Sequence, residues 1–408
     1  MTTFSHLECG LCRRTYQPSE AQGVCRCGGL LLARYDLELA RRSWSRDWVR
    51  NAPATMWRYT PVLPVRTPGS VVSLGEGMTP LVRAERLGRR LGLNQLWIKD
   101  EGRNPTGSVK ARGIACAISM ILELEKRLAV IASLGNAAVG VAAYAASAGL
   151  EAHVFLPRSA ARSVIAECRL YGAQVTLVEG GLAECVRALD RLPAAEGRHD
   201  LSAPREPYRL EGAKTLGYEL AEQFNWDLPE AVLYPVGQGL GLVAIRKAFE
   251  EMEILGWIPG HTPRLIAVQT EGCRPLVEAF RQQRERAEPV RSVATVAAET
   301  AVEEPAGDFL ALRALRASRG AAVAVTDSEL LEAGLQMARL EGVLPSPEGA
   351  ACAAAIPKLV EAGALDPHER VVLINTAGGL RSLEVWARRL GPAPAAETDK
   401  LGGLITPR

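Results

Sequence analysis

The sequence predicts an α/β protein with two open-sheet domains and a small N-terminal appendage, and three observations lead there. Short apolar runs alternate with amphipathic helical stretches from Leu128 to Gln269 and again near the C-terminus, the pattern of parallel sheets covered by helices on both faces. The chain has 408 residues, 48% of them hydrophobic, enough for two domains with a large core. Its glycine-rich and polar motifs fall just after the apolar runs, where open sheets place their ligands, beyond the carboxyl ends of the strands.

The elements follow in order. Cys9-x2-Cys12 and Cys25-x-Cys27-Gly28-Gly29 are two knuckles separated by 12 residues, which together offer four thiolates to a tetrahedral zinc ion. The second knuckle has one spacer residue instead of two, so a knuckle that keeps its shape without metal is the alternative. This zinc-ribbon-like unit is assigned to residues 1–34, and its Arg13, Arg14 and Arg26 are too sparse for a nucleic-acid surface. Residues 35–75 form an arm. Within it, 36–50 carries Leu37, Leu39, Trp44, Trp48 and Val49 at helical spacing, and the proline-rich 51–69 wraps the body.

A helix at 85–91 and a strand at 96–99 come next. Further strands are read at 128–132, 152–156, 174–178, 231–235, 265–269 and 371–375. Helices are read at 136–148, 163–171, 183–192, 213–224, 240–255, 327–340, 348–361 and 382–389. The charged, weakly periodic 281–307 reads as loop, and the tail after Gly391 is expected to be poorly ordered.

Bulk properties narrow the function. With 48 basic and 46 acidic residues the formal net charge is +2, which argues against a nucleic-acid or anionic-membrane partner. No run approaches the roughly 20 apolar residues of a membrane span. The N-terminus is acidic and cysteine-bearing where an export signal is apolar, and the scattered cysteines fit the reduced thiols of a cytoplasmic protein.

The chemistry centres on Asn104-Pro105-Thr106-Gly107-Ser108-Val109-Lys110-Ala111-Arg112-Gly113. Pro105 and Gly107 break the chain, and Ser108 is placed to cap the apolar helix that follows. Lys110 then lies in the first helical turn, where partial desolvation disfavours its charged form and makes it a candidate nucleophile. A surface lysine opening an ordinary helix is the alternative. The decapeptide resembles the cofactor-lysine motif of the threonine synthase family, fold-type-II pyridoxal-phosphate enzymes in which this lysine forms the Schiff base. Gly75-Glu76-Gly77-Met78-Thr79-Pro80-Leu81 resembles the family's GEGxTPL segment, and Arg209-Leu210-Glu211-Gly212-Ala213-Lys214-Thr215 with Glu219 resembles its RLEGxKTxxxE segment.

Two loops suit anions. Ser133-Leu134-Gly135-Asn136-Ala137 opens a helix whose first N–H groups fit a carboxylate; an N-capped core helix reads the same. The resemblance places the substrate carboxylate on Ser133, Gly135 and Ala137 and the cofactor's ring oxygen on Asn136, with Leu134 replacing a hydroxyl residue. Gly237-Gln238-Gly239-Leu240-Gly241 is a turn into a long helix, open to close phosphate approach, and the resemblance gives it the cofactor phosphate. Arginine suits bidentate phosphate recognition. By resemblance Arg209 faces the phosphate of O-phosphohomoserine, assisted by Ser202; an ion pair with a nearby acid is the plain alternative. Thr376 is implied against the pyridine nitrogen. Ser346-Pro347-Glu348-Gly349-Ala350-Ala351 matches the family's EPxxAA only in part, because Ser346 stands where glutamate is usual. Val109 and Ala111 are further departures.

The resemblance implies a tryptophan-synthase-β-like fold. Its large cofactor domain is 76–105 with 204–391, its small mobile domain 106–203, and residues 392–408 are a tail. It also implies pyridoxal 5'-phosphate, an amino-acid substrate and a homodimer to which the arm contributes, while the cysteine spacing offers Cys9, Cys12, Cys25 and Cys27 to a structural zinc. The implied reaction is O-phospho-L-homoserine and water to L-threonine and phosphate. A serine/threonine dehydratase or a β-replacing synthase is the nearest rival, and a non-catalytic cofactor-binding module is a rival of another class.

Overall fold

The structure is a computed structural model that describes residues 1–18, 23–193, 197–258, 260 and 262–392. The expectation for the tail falls almost wholly outside these residues. The cysteine-rich start folds into a three-stranded antiparallel sheet of β1 (Phe4–Cys9), β2 (Thr15–Tyr16) and β3 (Leu31–Tyr35), with β1 central. The helical pattern at 36–50 divides into α1 (Leu37–Ser43) and α2 (Arg46–Asn51). Ser45 accepts the Trp48 N–H as a second N-cap inside the pattern, and that cap breaks it. The arm does wrap the body: Met56, Tyr59, Val62 and Leu63 are all fully buried.

Strand β4 (Leu81–Arg83) pairs antiparallel with β5 (Gln95–Asp100). The chain then leaves for a parallel sheet of β6 (Leu128–Ala132), β7 (Glu151–Pro157), β8 (Gln174–Val178) and β9 (Arg198–Asp200), ordered β8-β7-β6-β9. It returns with β10 (Ala231–Pro235), β11 (Arg264–Thr270), β12 (Ala321–Val325) and β13 (Arg370–Asn375). These join β4 and β5 in a larger sheet ordered β12-β11-β10-β13-β5-β4. Strand β9 is too short, and the alanine-rich β12 too weak in β-forming side chains, to be read from pattern.

Between the strands run α3 (Glu85–Leu91), α4 (Lys110–Glu123), α5 (Asn136–Ser147), α6 (Arg162–Leu170) and α7 (Leu182–Asp190). The second half adds α8 (Tyr208–Gln223), α9 (Leu240–Ile254), α10 (Pro275–Arg281), α11 (Asp308–Ala317), α12 (Asp327–Glu341), α13 (Pro347–Glu361) and α14 (Leu383–Leu390). The pattern missed α10 and α11. It also started α8 at 213, after the glycine, whereas the helix begins at Tyr208, so that Arg209 lies in its first turn.

That glycine is there for a crossing. A Cβ on Gly212 would lie 2.1 Å from the Arg112 carbonyl oxygen, and one on Gly113 would lie 2.6 Å from the Arg209 carbonyl oxygen. Helices α4 and α8 therefore touch backbone to backbone, which brings Lys110 and Arg209 to one place. The N-terminal sheet docks on the same helix: the Tyr35 hydroxyl donates to Glu211 at 2.9 Å, and the Lys214 amine sits 3.9 Å from the Tyr35 ring centre. Gly212→Ala is expected to destabilise the protein by at least the roughly 1–3 kcal/mol of an overpacked core. An unchanged urea midpoint for that variant would contradict the backbone contact.

Candidate active site

The turn before Lys110 is fixed from two sides. Thr106 and Gly107 both adopt left-handed φ angles, 59° and 64°, a costly conformation for threonine that its surroundings must hold. They do so through the loop after β13. Val109 N–H donates to the Thr376 carbonyl at 2.8 Å and Gly378 N–H to the Gly107 carbonyl at 3.0 Å. Helix α4 then starts at Lys110, as the sequence predicts, but without the expected cap. The Ser108 hydroxyl is buried with no hydrogen-bond partner among the described residues, as is Thr106 Oγ1.

Two residues further on, Arg112 anchors the helix in the core. Its Nε and Nη2 donate to Glu101 at 2.7 and 2.8 Å, and its Nη1 and Nη2 donate to Glu219 at 2.8 and 2.9 Å. All three side chains are fully buried. Burial alone would raise both carboxyls, but the facing guanidinium outweighs it and holds each below the usual carboxylate range. Thr79 Oγ1 donates to Glu101 at 2.6 Å, and the Lys99 amine pairs with Glu219.

Above this network lies a cavity of about 120 Å³, lined by Lys110, Asn136, Arg209, Gly237, Gln238, Gly239, Leu240, Gly241 and Thr376 together with Glu299 and Glu348. An outer cleft of about 1470 Å³ shares Asn136, Gln238, Glu299 and Glu348 with it. Burial, reinforced by Arg209 and opposed by Glu299 and Glu348, lowers the Lys110 amine below its ordinary 10.5. Gly239 turns into α9 with a left-handed φ of 87°, and a Cβ on Gly241 would lie 2.2 Å from the Tyr234 ring. The turn is packed tightly against Tyr234, and its residues line the cavity. A phosphate suits the N–H groups of the turn at the start of α9, and an aldehyde suits the Lys110 amine, whose charged form burial disfavours. The residues present suit a pyridoxal-phosphate-type group.

Not every expected residue reaches the wall. The Ser133 hydroxyl turns inward to accept N–H groups from Gly135 and Ala138 at 3.1 and 3.3 Å, and Ser202 Oγ accepts the Ala132 N–H at 2.9 Å. Ser133, Gly135, Ala137 and Ser202 are not part of the cavity lining and stand at the α5 start and the end of β6. Arg209 donates from Nη1 to the Leu201 carbonyl at 2.7 Å; the acid beside it, Glu206, accepts its backbone N–H at 2.6 Å instead.

The family pattern of the pyridoxal-phosphate-dependent enzymes matches residues 72–377. Two threonine synthases resemble the chain over most of its length. That of Methanocaldococcus jannaschii is 38% identical over 93% of this chain and 94% of its own, and that of Methanosarcina acetivorans is 36% identical over 91% of each. The chain belongs to the threonine synthase family of pyridoxal-phosphate-dependent enzymes. It is accordingly a pyridoxal-phosphate-dependent lyase. The L-serine ammonia-lyase of Rhizomucor miehei, 22% identical, superposes over 76% of this chain and 98% of its own with a TM-score of 0.65, which bears out the fold-type-II class. No helix among the described residues is long and apolar enough to cross a membrane.

Threonine synthase motifs led to Lys110, Arg209 and the phosphate turn but not to the two buried-site carboxylates. Burial raises Glu348, opposed by backbone N–H groups including that of Glu299. It stands two positions beyond Ser346, in the first turn of α13. Burial and then Glu348 raise Glu299, whose sequence signal was one acid in the apolar run Val296-Ala297-Ala298-Glu299-Thr300-Ala301-Val302.

Away from the cavity, the thiols of Cys9, Cys12, Cys25 and Cys27 all lie within 4.8 Å of one another. Four zinc–sulfur bonds of about 2.3 Å at tetrahedral angles put sulfurs about 3.8 Å apart. The Cys27 backbone N–H and then the Tyr16 hydroxyl lower Cys25 to about 6, toward the thiolate a metal needs.

Because a lowered pKa leaves more neutral amine at a given pH, reductive methylation of Lys110 in the apoprotein should reach its midpoint below pH 10.5. Glu299→Gln removes a charge that favours the ammonium and should move the midpoint down; Arg209→Leu should move it up. Peptide mass spectrometry reads this, and a midpoint at the ordinary lysine value would contradict the desolvated site.

Proposed function

We propose that the chain converts O-phospho-L-homoserine and water to L-threonine and phosphate, using pyridoxal 5'-phosphate held at Lys110. The observation that carries this reading is a cavity with two places for a phosphate. One is the amide-lined turn Gly237–Gly241 at the start of α9, suited to the cofactor. The other is Arg209, which the α4–α8 crossing sets on the wall beside Lys110. A dehydratase has no substrate phosphate for that guanidinium.

The roles follow from position. Thr376 and Asn136 would face the cofactor's ring nitrogen and ring oxygen, and Lys110 its aldehyde. When bound, the cofactor supplies the electron sink for charge released at the substrate α-carbon. The loop Ser133–Ala137 receives the substrate carboxylate on N–H groups, with the Ser133 hydroxyl holding the loop in shape. Arg209 takes the substrate phosphate, and Ser202 holds the end of β6 beside it. The Lys110 amine, whose charged form burial disfavours, takes the α-proton and returns protons as the reaction proceeds. A β-proton is lost as well, the γ-carbon–oxygen bond breaks with phosphate leaving, the two protons return to the γ- and α-carbons, and water adds its hydroxyl at the β-carbon while its other proton ends on the phosphate.

The same reading divides the chain into the domains expected from sequence, with 106–203 moving as a unit over the larger sheet. It sets the enzyme in the cytoplasm as a homodimer, for which the exposed Leu39 and Trp48 of the arm are suited contacts. It gives the four N-terminal thiolates a structural zinc ion.

A hydrogen bond to a charged group contributes about 1.5–3 kcal/mol. Arg209→Leu is therefore expected to lower kcat/KM for O-phosphohomoserine by about 10–150-fold. Deamination of threonine with no phosphate released from O-phosphohomoserine would replace this reading with the dehydratase one. For the ribbon, elemental analysis should find zinc bound stoichiometrically in the native protein and lost in Cys12→Ser; a native protein free of zinc would leave only a metal-free knuckle.

A further inference from the structure

One carboxylate in the cavity has no role in the scheme above and stands in the way of it. Glu299 Oε1 accepts the Asn136 backbone N–H at 2.9 Å. The same oxygen lies against Gly135, where a Cβ would be 2.6 Å away. This is the start of α5, the place given above to the substrate carboxylate. One N–H group cannot serve two carboxylates at full strength. Glu348 adds a second negative charge close by, its Oε1 accepting the Glu299 backbone N–H at 3.0 Å.

The segment bearing Glu299 lies over the site and is tied at both ends. On one side Asp327 accepts from Thr295 Oγ1 at 2.7 Å and from the Val296 N–H at 2.9 Å. On the other, Gln238 Oε1 of the phosphate turn accepts the Ala306 N–H at 3.0 Å. Between these ties the strap presses on the turn itself: a Cβ on Gly237 would meet the Glu299 carbonyl oxygen and the Thr300 Cα, each at 3.3 Å. Residues on the strap also line the outer cleft, among them Val293, Val302 and Glu303. The strap is thus both the inner wall of the cleft and the carrier of the carboxylate that fills the α5 start.

We propose that Glu299 is an internal ligand that occupies the carboxylate cradle of α5 in the free protein, so that an amino-acid substrate binds only by displacing it and lifting the strap. The proposal rests on the reading that this cradle takes the substrate carboxylate. It makes Glu299 a determinant of specificity: a ligand without an α-carboxylate has nothing to exchange for the contact it breaks. A cradle that is free for a fraction of the time weakens apparent affinity by that fraction.

The test uses the pyridoxal-phosphate-loaded protein and L-threonine, which carries the α-carboxylate without the phosphate. Its affinity is measured by calorimetry for the native protein and for Glu299→Ala, Glu299→Gln and Glu303→Gln. Hydrogen exchange of the peptide 296–306 is followed with and without ligand. If the cradle is open about one-tenth of the time, removing the Glu299 carboxylate tightens L-threonine binding about tenfold. Glu303→Gln, on the same strap outside the cradle, leaves it unchanged, and exchange in the native strap rises when ligand binds. Equal or weaker binding by both Glu299 variants, or strap exchange that slows on binding, overturns the inference while leaving the cradle as an amino-acid site. Tightening by Glu303→Gln as large as by Glu299→Ala also overturns it, because the effect would then be general charge. L-Threonine that binds none of the four proteins overturns the cradle reading and the inference with it.

Discussion

The site depends on one buried cation. Arg112 faces two carboxylates with four short hydrogen bonds, in a region with no exposure to water. Burying such charges is costly, and breaking one of these pairs leaves another charge stranded, at about 3–5 kcal/mol. The arrangement therefore tolerates little movement. Because Arg112 lies two residues after Lys110, whatever fixes the guanidinium fixes the start of α4 and with it the reactive amine. Glu101 ties that start to the exit of β5, Glu219 ties it to α8, and Thr79 and Lys99 close the network around both acids. The positions of the amine and of Arg209 are set by the same contacts.

Around this anchor the chain brings strand ends together. Loops after β5, β6, β10 and β13 supply Lys110, Asn136, the phosphate turn and Thr376, the placement expected of open parallel sheets. The loops are also fastened to one another. Asn375 Nδ2 donates to Asp100 at 2.8 Å, its Oδ1 accepts the Ser346 N–H at 3.2 Å, and a Cβ on Gly349 would lie 2.0 Å from that same oxygen. The Asn375 side-chain amide thus fastens the loops after β5 and β13 to the start of α13.

Some of this was legible because chemistry imposes short contiguous patterns. A lysine after a Pro-Thr-Gly break, a glycine turn into a helix, and an arginine followed three residues later by glycine can all be read from neighbours in the chain. The network around Arg112 was in view without being recognised. Thr79, Arg112 and Glu219 each sat in a separate motif, and only the fold shows that the three motifs meet in one hydrogen-bonded cluster. Glu299 was hidden for a related reason: the helix start it contacts lies 163 residues earlier in the chain, and one acid in an apolar run does not name that partner. Ser108 shows the opposite error. A hydroxyl in capping position was read as a cap, but the turn is held by backbone bonds to the β13 loop, and the hydroxyl is left without a partner among the described residues.

The most direct measurement is borohydride reduction of the pyridoxal-phosphate-loaded protein, followed by peptide mapping, in the native chain and in Arg112→Gln. A single pyridoxyl group on the Lys110 peptide, formed in full by the native protein and sharply reduced in a variant that retains its circular dichroism, is expected if the buried ion pairs position the amine. A label on another lysine, or full labelling of Lys110 in a folded Arg112→Gln protein, would contradict it.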